Sequence, residues 1–353
     1  MTIVGIVGAG VMGSGIAQVA LEAGWEVIVH DVDGDAIERA ADRIRDGLGR
    51  RAAKLDLDAD SIDAWVDGRH DKLRHAHTLD GLATEADLVV EAALEDLDLK
   101  KAVFRALDAE ASPEVILASN TSSLSISGIA EATAHQGRVI GMHFFNPVPL
   151  MALVEVVPGS ETTPVVVERT EAIVREWGKV PVRSADRPGF IVNRVNRPFT
   201  IEALRILEEG LAGVDTIDAA MREAGYPMGP FELMDLSGLD VNLAAAESIW
   251  TGLGKPDRLR PSRIQERLVT AGHLGRKVGV GFYRYEDGRR GDVEPEFVVA
   301  RRGLAAERIQ ARIEAAIAEE AHLAADEGVA TRDDIVLALR LGVGHPERAL
   351  SKL

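Results

Sequence analysis

Residues 8–13 of this 353-residue chain read GAGVMG, and the residues on either side decide what they can form. TIVGIV before them is almost wholly apolar and predicts a buried strand, while SGIAQVALEAG after them has the apolar spacing of a helix. Glycines between such a strand and helix let the backbone approach a pyrophosphate, whose charge then faces the helix N-terminus. This sequence therefore predicts a dinucleotide-binding turn made of Gly8, Gly10, Val11, Met12 and Gly13.

A second apolar run, EVIVH at residues 26–30, ends beside an acid, Asp31, which follows Gly13 by 18 residues. An acid at this place accepts hydrogen bonds from the hydroxyls of a ribose. The same negative charge would repel a 2′-phosphate. Asp31 therefore favours NAD over NADP as the cofactor.

Apolar runs and helical patterns alternate through the first half of the chain. Runs at 86–93 and 115–118 read as further strands, with a helical pattern between them. This alternation predicts an α/β fold with a doubly wound, Rossmann-type, mostly parallel sheet. Ligands of such sheets lie at the carboxyl ends of the strands. Asp31, Glu95 and residues 119–122 all follow strands and are expected at that edge.

The sequence divides into three predicted parts. A nucleotide-binding domain at 1–186 carries an inserted helical hairpin at about 36–78. A polar, proline-containing break separates it from an all-helical C-terminal domain at 187–286, because the residues after the break have helical spacing. Residues 300–353 form a predicted partial repeat of the helical domain.

The predicted repeat rests on a shared order of features. Two stretches align with one gap, IEALRILEEGLAGVDTIDAAMREAG at 201–225 and EEAHLAADEGVATRDDIVLALRLG at 319–342. A glycine-proline break follows both. Chance similarity between two Ala/Glu-rich helices is the alternative. Ala311 stands where the first copy has Asn193, so we interpret the second copy as structural. A helical unit that buries its apolar face on a like unit makes a dimer or a pseudo-dimer.

The inserted hairpin concentrates positive charge in a chain whose formal net charge is −17. The basic residues of its first stretch are Arg43, Arg45, Arg50, Arg51 and Lys54. Composition leaves two interpretations open, a site for a phosphorylated substrate and a solvated helical hairpin. The overall negative charge argues against nucleic acids and anionic membrane surfaces as partners. The absence of cysteine excludes disulfides and thiolate ligands, and we expect no metal site.

Residues 119–155 contain the side chains best suited to acid/base chemistry. One apolar run ends near His143, a breaker follows at 146–149, and a second apolar run contains Glu155. Two strand-like runs joined by a short breaker can lie side by side, which would make a pair of these two residues. A carboxylate that orients an imidazole makes a general acid/base near neutral pH. Spacing alone still favours the ordinary alternative, a surface histidine and a glutamate at a strand end.

Seven motifs together resemble the L-3-hydroxyacyl-CoA dehydrogenase family, including its 3-hydroxybutyryl-CoA members, over about residues 2–286. The motifs are GAGVMGSGIAQ, LVVEAALEDLDLK, ASNTSSLSI, GMHFFNPVPLMALVEVV, DRPGFIVNR, GYPMGPFELMDLSGLD and GRKVGVGFY. The resemblance implies reversible, NAD-dependent oxidation of an (S)-3-hydroxyacyl-CoA, short-chain above all, in fatty-acid or aromatic-acid degradation. It also implies a nucleotide-binding domain, a helical domain that dimerises, and an active site in the cleft between them.

The resemblance also assigns roles to single residues. His143 would be the catalytic base and Glu155 its partner. Substrate contacts would come from Ser122 and Asn193, although an asparagine in the setting of Asn193 is by itself more typical of a helix cap. Contacts to the cofactor would come from Glu95, Lys100, Asn120, Ser122, Asn146 and Lys277. The coenzyme A contacts would include Lys54 with Ser122 and Asn193, while Gly47 stands where the family has a serine.

Two other functions are open to a chain with a dinucleotide-binding turn. A 3-hydroxy acid dehydrogenase of the 6-phosphogluconate type shares the layout but uses a lysine base, and no lysine stands at the start of the helical domain. A catalytically silent NAD-binding protein would not need His143, Glu155, Ser122 and Asn193 together.

The expected partners are an acyl-CoA substrate and a second copy of the chain, in a homodimer formed through the helical domain. The final residues, Ser351-Lys352-Leu353, match a peroxisomal address. The Ala-rich, Arg-over-Lys composition is typical of a bacterial chain, for which that address has no meaning. We therefore expect a cytoplasmic protein.

Overall fold

The structure, a computed structural model, describes residues 2–298 and 303–353. Its contacts divide the chain into two compact units, Met1–Arg187 and Pro188–Leu353. Met1, which begins the predicted first domain, and residues 300–302, which begin the predicted repeat, lie outside the described residues.

The first unit is an eight-stranded sheet in the order β3-β2-β1-β4-β5-β6-β7-β8. Its strands are β1 Ile3–Val7, β2 Glu26–His30, β3 Leu73–His75, β4 Leu88–Glu91, β5 Ile116–Ser119, β6 Val139–Phe144, β7 Leu153–Pro158 and β8 Val180–Arg183. Its helices are α1 Val11–Glu22, α2 Gly34–Ala52, α3 Ala59–His70, α4 Leu79–Glu85, α5 Leu97–Glu110, α6 Ile126–Ala130 and α7 Pro164–Glu176. Only β6 and β7 pair antiparallel among these described strands. The predicted doubly wound, mostly parallel sheet is confirmed.

The turn between β1 and α1 needs glycine at two places. Gly8 has a φ of 105°, a conformation that L side chains rarely adopt. A Cβ on Gly13 would overlap the carbonyl oxygen of Gly8. These two glycines let the chain leave a buried strand and begin a helix within three residues, which places the helix N-terminus at the carboxyl edge of the sheet.

The inserted hairpin consists of α2 and α3. Helix α2 begins where the Asp33 side chain accepts a hydrogen bond from the Asp35 amide at 3.0 Å, and it buries Ile44 and Leu48. The helical pattern was expected to continue to about residue 78, but residues 73–75 form the edge strand β3 beside β2. A three-residue edge strand is too short to show a period-two pattern against a helical background.

Among its described residues, the second unit consists of helices and one antiparallel hairpin. Its helices are α8 Val192–Val195, α9 Arg197–Glu208, α10 Val214–Glu223, α11 Pro230–Ser237, α12 Leu239–Gly252, α13 Arg263–Thr270, α14 Ala306–Asp326, α15 Arg332–Val343 and α16 Glu347–Leu350. The hairpin strands are β9 Tyr283–Glu286 and β10 Arg289–Val293. No helix among the described residues is both long and apolar enough to cross a membrane.

The two predicted copies in the second unit are joined by reciprocal ion pairs. Arg194 contacts Glu320 on α14 and Glu327 just after that helix, each at 2.7 Å. Arg312 on α14 contacts two acids in return, Glu202 and Glu209. Each residue lies 118 residues from its counterpart, so that Arg194 corresponds to Arg312, Glu202 to Glu320 and Glu209 to Glu327. Reciprocal contacts of this kind are typical of a two-fold interface, here formed within one chain.

Candidate active site

Strands β6 and β7 bring His143 and Glu155 face to face. The two residues are paired in the antiparallel register, and His143 Nδ1 lies 2.6 Å from Glu155 Oε2. Both are buried, the glutamate completely. A buried carboxylate that accepts from Nδ1–H fixes the tautomer and orientation of the ring and stabilises positive charge that develops on it. The structure therefore contains the pair that spacing alone did not favour.

Asn120 fixes the backbone beside His143. Its side-chain oxygen, Oδ1, accepts a hydrogen bond from the backbone amide of Phe144 at 2.9 Å. Its own backbone amide donates to the Glu91 carbonyl at 2.7 Å. The end of β6 is thereby tied to the ends of β4 and β5. The ring of Phe145 packs against the imidazole, with 4.6 Å between ring centroids.

Glu95 organises the loop that follows β5. One of its oxygens accepts from the Thr121 hydroxyl at 2.7 Å and from the amides of Ser122 and Ser123 at 2.9 and 3.1 Å. Burial by itself would raise the pKa of Glu95, but the Thr121 hydrogen bond and the charge of Lys100 outweigh it, and the pKa is lowered. Glu95 is therefore ionised near neutral pH, and it holds Ser122 through both its amide and its hydroxyl.

The structure also shows a buried acid that the sequence analysis missed, Glu91. It accepts from Lys100 Nζ at 2.6 Å and from the Ser119 hydroxyl at 2.7 Å, and it is completely buried. Lys100 is itself 1% exposed and lies 3.5 Å from Glu95. The sequence signal that could have identified Glu91 is an acid at the carboxyl end of a buried strand, nine residues before a lysine. Lys100 is therefore a buried ion-pair partner of Glu91 and Glu95 rather than a surface residue.

The glycine turn has the features of a pyrophosphate cradle. Among the described residues, no heavy atom beyond its own chain neighbours lies within 4 Å of a Cβ built on Gly10. Gly10 is also the N-cap of α1, and no side chain caps this helix end, so the first amides of the helix have no side-chain acceptor from the cap residue. The Ala9 amide donates to Asp31 Oδ2 at 2.7 Å, which fixes the acid beside the turn.

A second missed residue, Arg43, reaches this turn from the inserted hairpin. Its guanidinium donates to the Ala9 carbonyl at 2.6 Å and to the Ser14 hydroxyl at 3.0 Å. The sequence placed Arg43 only within a basic cluster, because a contact across 34 residues has no local signature.

A cavity of about 750 Å³ lies between the inserted hairpin, α1 and the loop that contains Asn146. The hairpin residues Arg43, Arg50, Arg51 and Lys54 line it, while Arg45 pairs with Asp67 instead. Lys179 lies in its wall and donates to the Val148 and Met151 carbonyls. Burial lowers the pKa of Lys179 to about 8. Four of the five basic residues in the predicted cluster therefore face one cavity.

The position without the family's serine, Gly47, faces Gln18. A Cβ on Gly47 would overlap Gln18 Oε1. The side-chain nitrogen of Gln18, Nε2, donates to Glu22 Oε1 at 2.7 Å. The glutamine side chain therefore occupies the space into which a serine would project.

Two predicted site residues belong to the second unit. Asn193 lies on the short helix α8. Lys277 pairs with Asp240 at 2.6 and 2.7 Å, and this hydrogen bond lowers the pKa of Asp240. Within the described part of the chain, no group of three or more His, Asp or Glu side chains could hold a metal ion.

Both units of the chain match sequence models of one known family. A sequence model described as the NAD-binding domain of 3-hydroxyacyl-CoA dehydrogenase matches residues 3–187, and one described as its C-terminal domain matches residues 189–285. The chain belongs to the 3-hydroxyacyl-CoA dehydrogenase family. It is an NAD-dependent oxidoreductase, as the resemblance implied.

Individual relatives agree with this membership. The chain is 44% identical over 296 residues to 3-hydroxyadipyl-CoA dehydrogenase of Escherichia coli K12, a match that covers 84% of this chain and 61% of that relative. It resembles the crystal structure of 3-hydroxybutyryl-CoA dehydrogenase from Escherichia coli K12 with a TM-score of 0.87 and 35% identity, over 98% of this chain and 89% of the other. The (S)-3-hydroxybutyryl-CoA dehydrogenase from Ralstonia eutropha gives a TM-score of 0.77 and 39% identity, over 81% of this chain and 100% of the other. The chain therefore continues well beyond the region that it shares with the Ralstonia eutropha enzyme.

Proposed function

We propose that the chain catalyses reversible oxidation of an (S)-3-hydroxyacyl-CoA to the 3-ketoacyl-CoA. The buried His143–Glu155 pair at 2.6 Å carries this proposal, because it is a general acid/base on a sheet that has a dinucleotide cradle. Similarity to 3-hydroxyadipyl-CoA and 3-hydroxybutyryl-CoA dehydrogenases supports an acyl-CoA substrate, and two of these three relatives favour the short-chain 3-hydroxybutyryl-CoA.

In the proposed reaction, NAD, when bound, would supply the acceptor for the hydride that leaves C3. His143 takes the proton of the substrate hydroxyl on Nε2, since Nδ1 is the nitrogen that contacts Glu155. Glu155 stabilises the imidazolium that results. We assign Ser122 and Asn193 to the substrate oxygen, where their hydrogen bonds would hold it in position for both transfers.

The residues of the first unit fit the cofactor. Gly10 and the uncapped N-terminus of α1 would hold the pyrophosphate, and Asp31 would accept from a ribose. The remaining assigned cofactor residues are Gly8, Val11, Met12, Gly13, Glu95, Lys100, Asn120, Ser122, Asn146 and Lys277. For Lys100 we propose an indirect role through Glu95, because its ammonium group is buried between two acids.

Reaction of NADH with acetoacetyl-CoA, followed by loss of NADH absorbance, tests the proposal. We expect turnover with NADH and much less with NADPH, because the Asp31 charge would repel a 2′-phosphate. A panel of short, long and ω-carboxylated 3-ketoacyl-CoA substrates then defines the acyl group. Turnover of free 3-keto acids, with none of any thioester, would contradict the proposal.

Lys54→Ala is expected to raise KM for acetoacetyl-CoA a few-fold without changing kcat. The proposed reason is the loss of a contact between Lys54, which lines the cavity, and the coenzyme A phosphates. The effect should be small because an exposed ion pair contributes only about 0.2–1 kcal/mol. The measurement compares acetoacetyl-CoA with an acetoacetyl thioester of pantetheine, which lacks the nucleotide. Its KM should not respond to the substitution.

Arg45→Ala is the matched control for Lys54→Ala. Arg45 lies on the same hairpin but pairs with Asp67 at the surface and does not line the cavity. If both substitutions raise KM equally, coenzyme A is held by the overall positive charge of the hairpin rather than by the residues that line the cavity.

Self-association and location complete the proposal. A homodimer formed through the helical domain would need a face other than the one where α9 packs against α14 of its own chain. A cytoplasmic location is supported by the bacterial character of the composition.

A further inference from the structure

The segment that carries Asn193 begins from a strained turn. Gly189 and Phe190 have φ angles of 79° and 47°, and phenylalanine rarely adopts the second value. The following helix, α8, has four residues, too few to be stable by itself. Strained backbone of this kind persists only where neighbouring groups enforce it. The orientation of Asn193 therefore depends on what packs against residues 189–196.

The residue after Asn193 is clamped by the C-terminal repeat. Arg194 is completely buried, and it donates from Nε to Glu320 and from Nη1 to Glu327, each at 2.7 Å. Glu320 is 1% exposed, and its second oxygen accepts from Arg258 Nε at 2.7 Å. A charge-assisted contact between buried groups is stronger and geometrically stricter than one at the surface. Glu320 therefore holds two arginines in fixed positions.

The repeat also contacts the segment at Asn196. His345 Nε2 lies 2.8 Å from Asn196 Oδ1. Burial lowers the pKa of His345 to about 4, so the ring is neutral at pH 7 and its Nε2–H is the donor to the amide oxygen. Side chains from two separate parts of the repeat thus fix two residues that follow Asn193, Arg194 and Asn196.

We propose that Glu320 is a positioning residue for the dehydrogenase reaction, which acts on Asn193 through Arg194. The inference rests on the proposed role of Asn193. It gives the C-terminal repeat, which lies beyond the matched family regions, a part in turnover rather than only in stability.

The pseudo-symmetry of the unit supplies a matched control. Glu202 is the counterpart of Glu320, is 7% exposed, and likewise contacts two arginines, Arg205 and Arg312. The residue before Arg312 is Ala311, which has no polar group to position. Loss of the Glu202 carboxylate should therefore disturb the same interface without a catalytic consequence.

The test compares Glu320→Gln with Glu202→Gln in the full chain. Both substitutions should lower Tm by similar amounts, since each leaves two arginines without a shared buried carboxylate. Only Glu320→Gln should lower kcat, by roughly 10- to 100-fold, because a small misplacement of a substrate-holding group has an effect of that size. The Kd for NADH should stay within about twofold of the parent value for both. Equal kcat for the two variants would overturn the inference.

A double-mutant cycle separates this inference from the proposed function. Asn193→Ala alone must lower kcat, and if it does not, the assignment of Asn193 fails. Given that loss, adding Glu320→Gln should lower kcat no further, because the group that it positions is already gone. Independent, multiplying losses would mean that Glu320 does not act through Asn193.

Glu327→Gln keeps the inference testable if Glu320→Gln does not fold. Glu327 contacts the same arginine but is 47% exposed, so its replacement is a milder change. We expect a smaller loss of kcat than for Glu320→Gln, again absent in the Asn193→Ala background. A loss of equal size in both backgrounds would overturn the inference.

Discussion

Replacement of His143 by glutamine is expected to lower kcat by about 10²–10⁴-fold, equivalent to about 3–5 kcal/mol in the barrier. Glutamine can still donate a hydrogen bond towards Glu155, so the buried carboxylate would keep a partner. It cannot accept the substrate proton near neutral pH. The loss should therefore report proton transfer rather than collapse of the site.

The measurement pairs steady-state turnover of acetoacetyl-CoA with direct titration of NADH. Binding of NADH should be unchanged, because His143 is not among the residues that form the cradle at the glycine turn. Glu155→Gln is the companion variant, which keeps a hydrogen-bonding group but removes the charge beside the ring. Near-normal turnover by His143→Gln would show that another group is the base.

The second large effect is expected from Gly10→Ala, which should weaken NADH binding at least about tenfold, or about 1.4 kcal/mol. The described residues leave open space where the new methyl group would lie, and the backbone at φ −70° and ψ −169° accepts alanine. The fold should therefore lose no stability. The methyl group would instead occupy the position where the pyrophosphate approaches the backbone.

Gly13→Ala provides the contrast. Its methyl group would overlap the carbonyl oxygen of Gly8, so the turn would have to move, at about 1–3 kcal/mol of stability. Thermal unfolding with and without NADH distinguishes the two variants. If Gly10→Ala binds NADH as tightly as the parent, the pyrophosphate does not lie over this turn.

Features encoded in short stretches of sequence were predictable. The glycine turn, Asp31 and the alternation of strands and helices follow from local patterns, because strand, turn and helix here occupy adjacent residues. The pairing of His143 with Glu155 was a weaker prediction from spacing, and only the resemblance favoured it. The antiparallel register between β6 and β7 then brought the two side chains together.

Contacts between distant residues were not predictable in the same way. Glu91 reads as one more acid after an apolar run, and its burial depends on Lys100 and Ser119 packing beside it. Arg43 gives no sign in the sequence that it reaches the glycine turn. The role of Arg194 depends on Glu320, 126 residues later, and on the packing of two copies that a one-dimensional comparison could only align.

The reciprocal ion pairs of the second unit have a consequence for how the protein behaves on dilution and in evolution. Partners joined by one chain stay at a high effective concentration, so no dilution separates them as it would two free subunits. Dilution from micromolar to very low protein concentrations should therefore cause no loss of specific activity through separation of this interface. Each half of the interface can also acquire substitutions that the other half lacks. A homodimer does not permit this, because one sequence encodes both of its halves. Asn193 in one copy and Ala311 in the other are an example of such divergence.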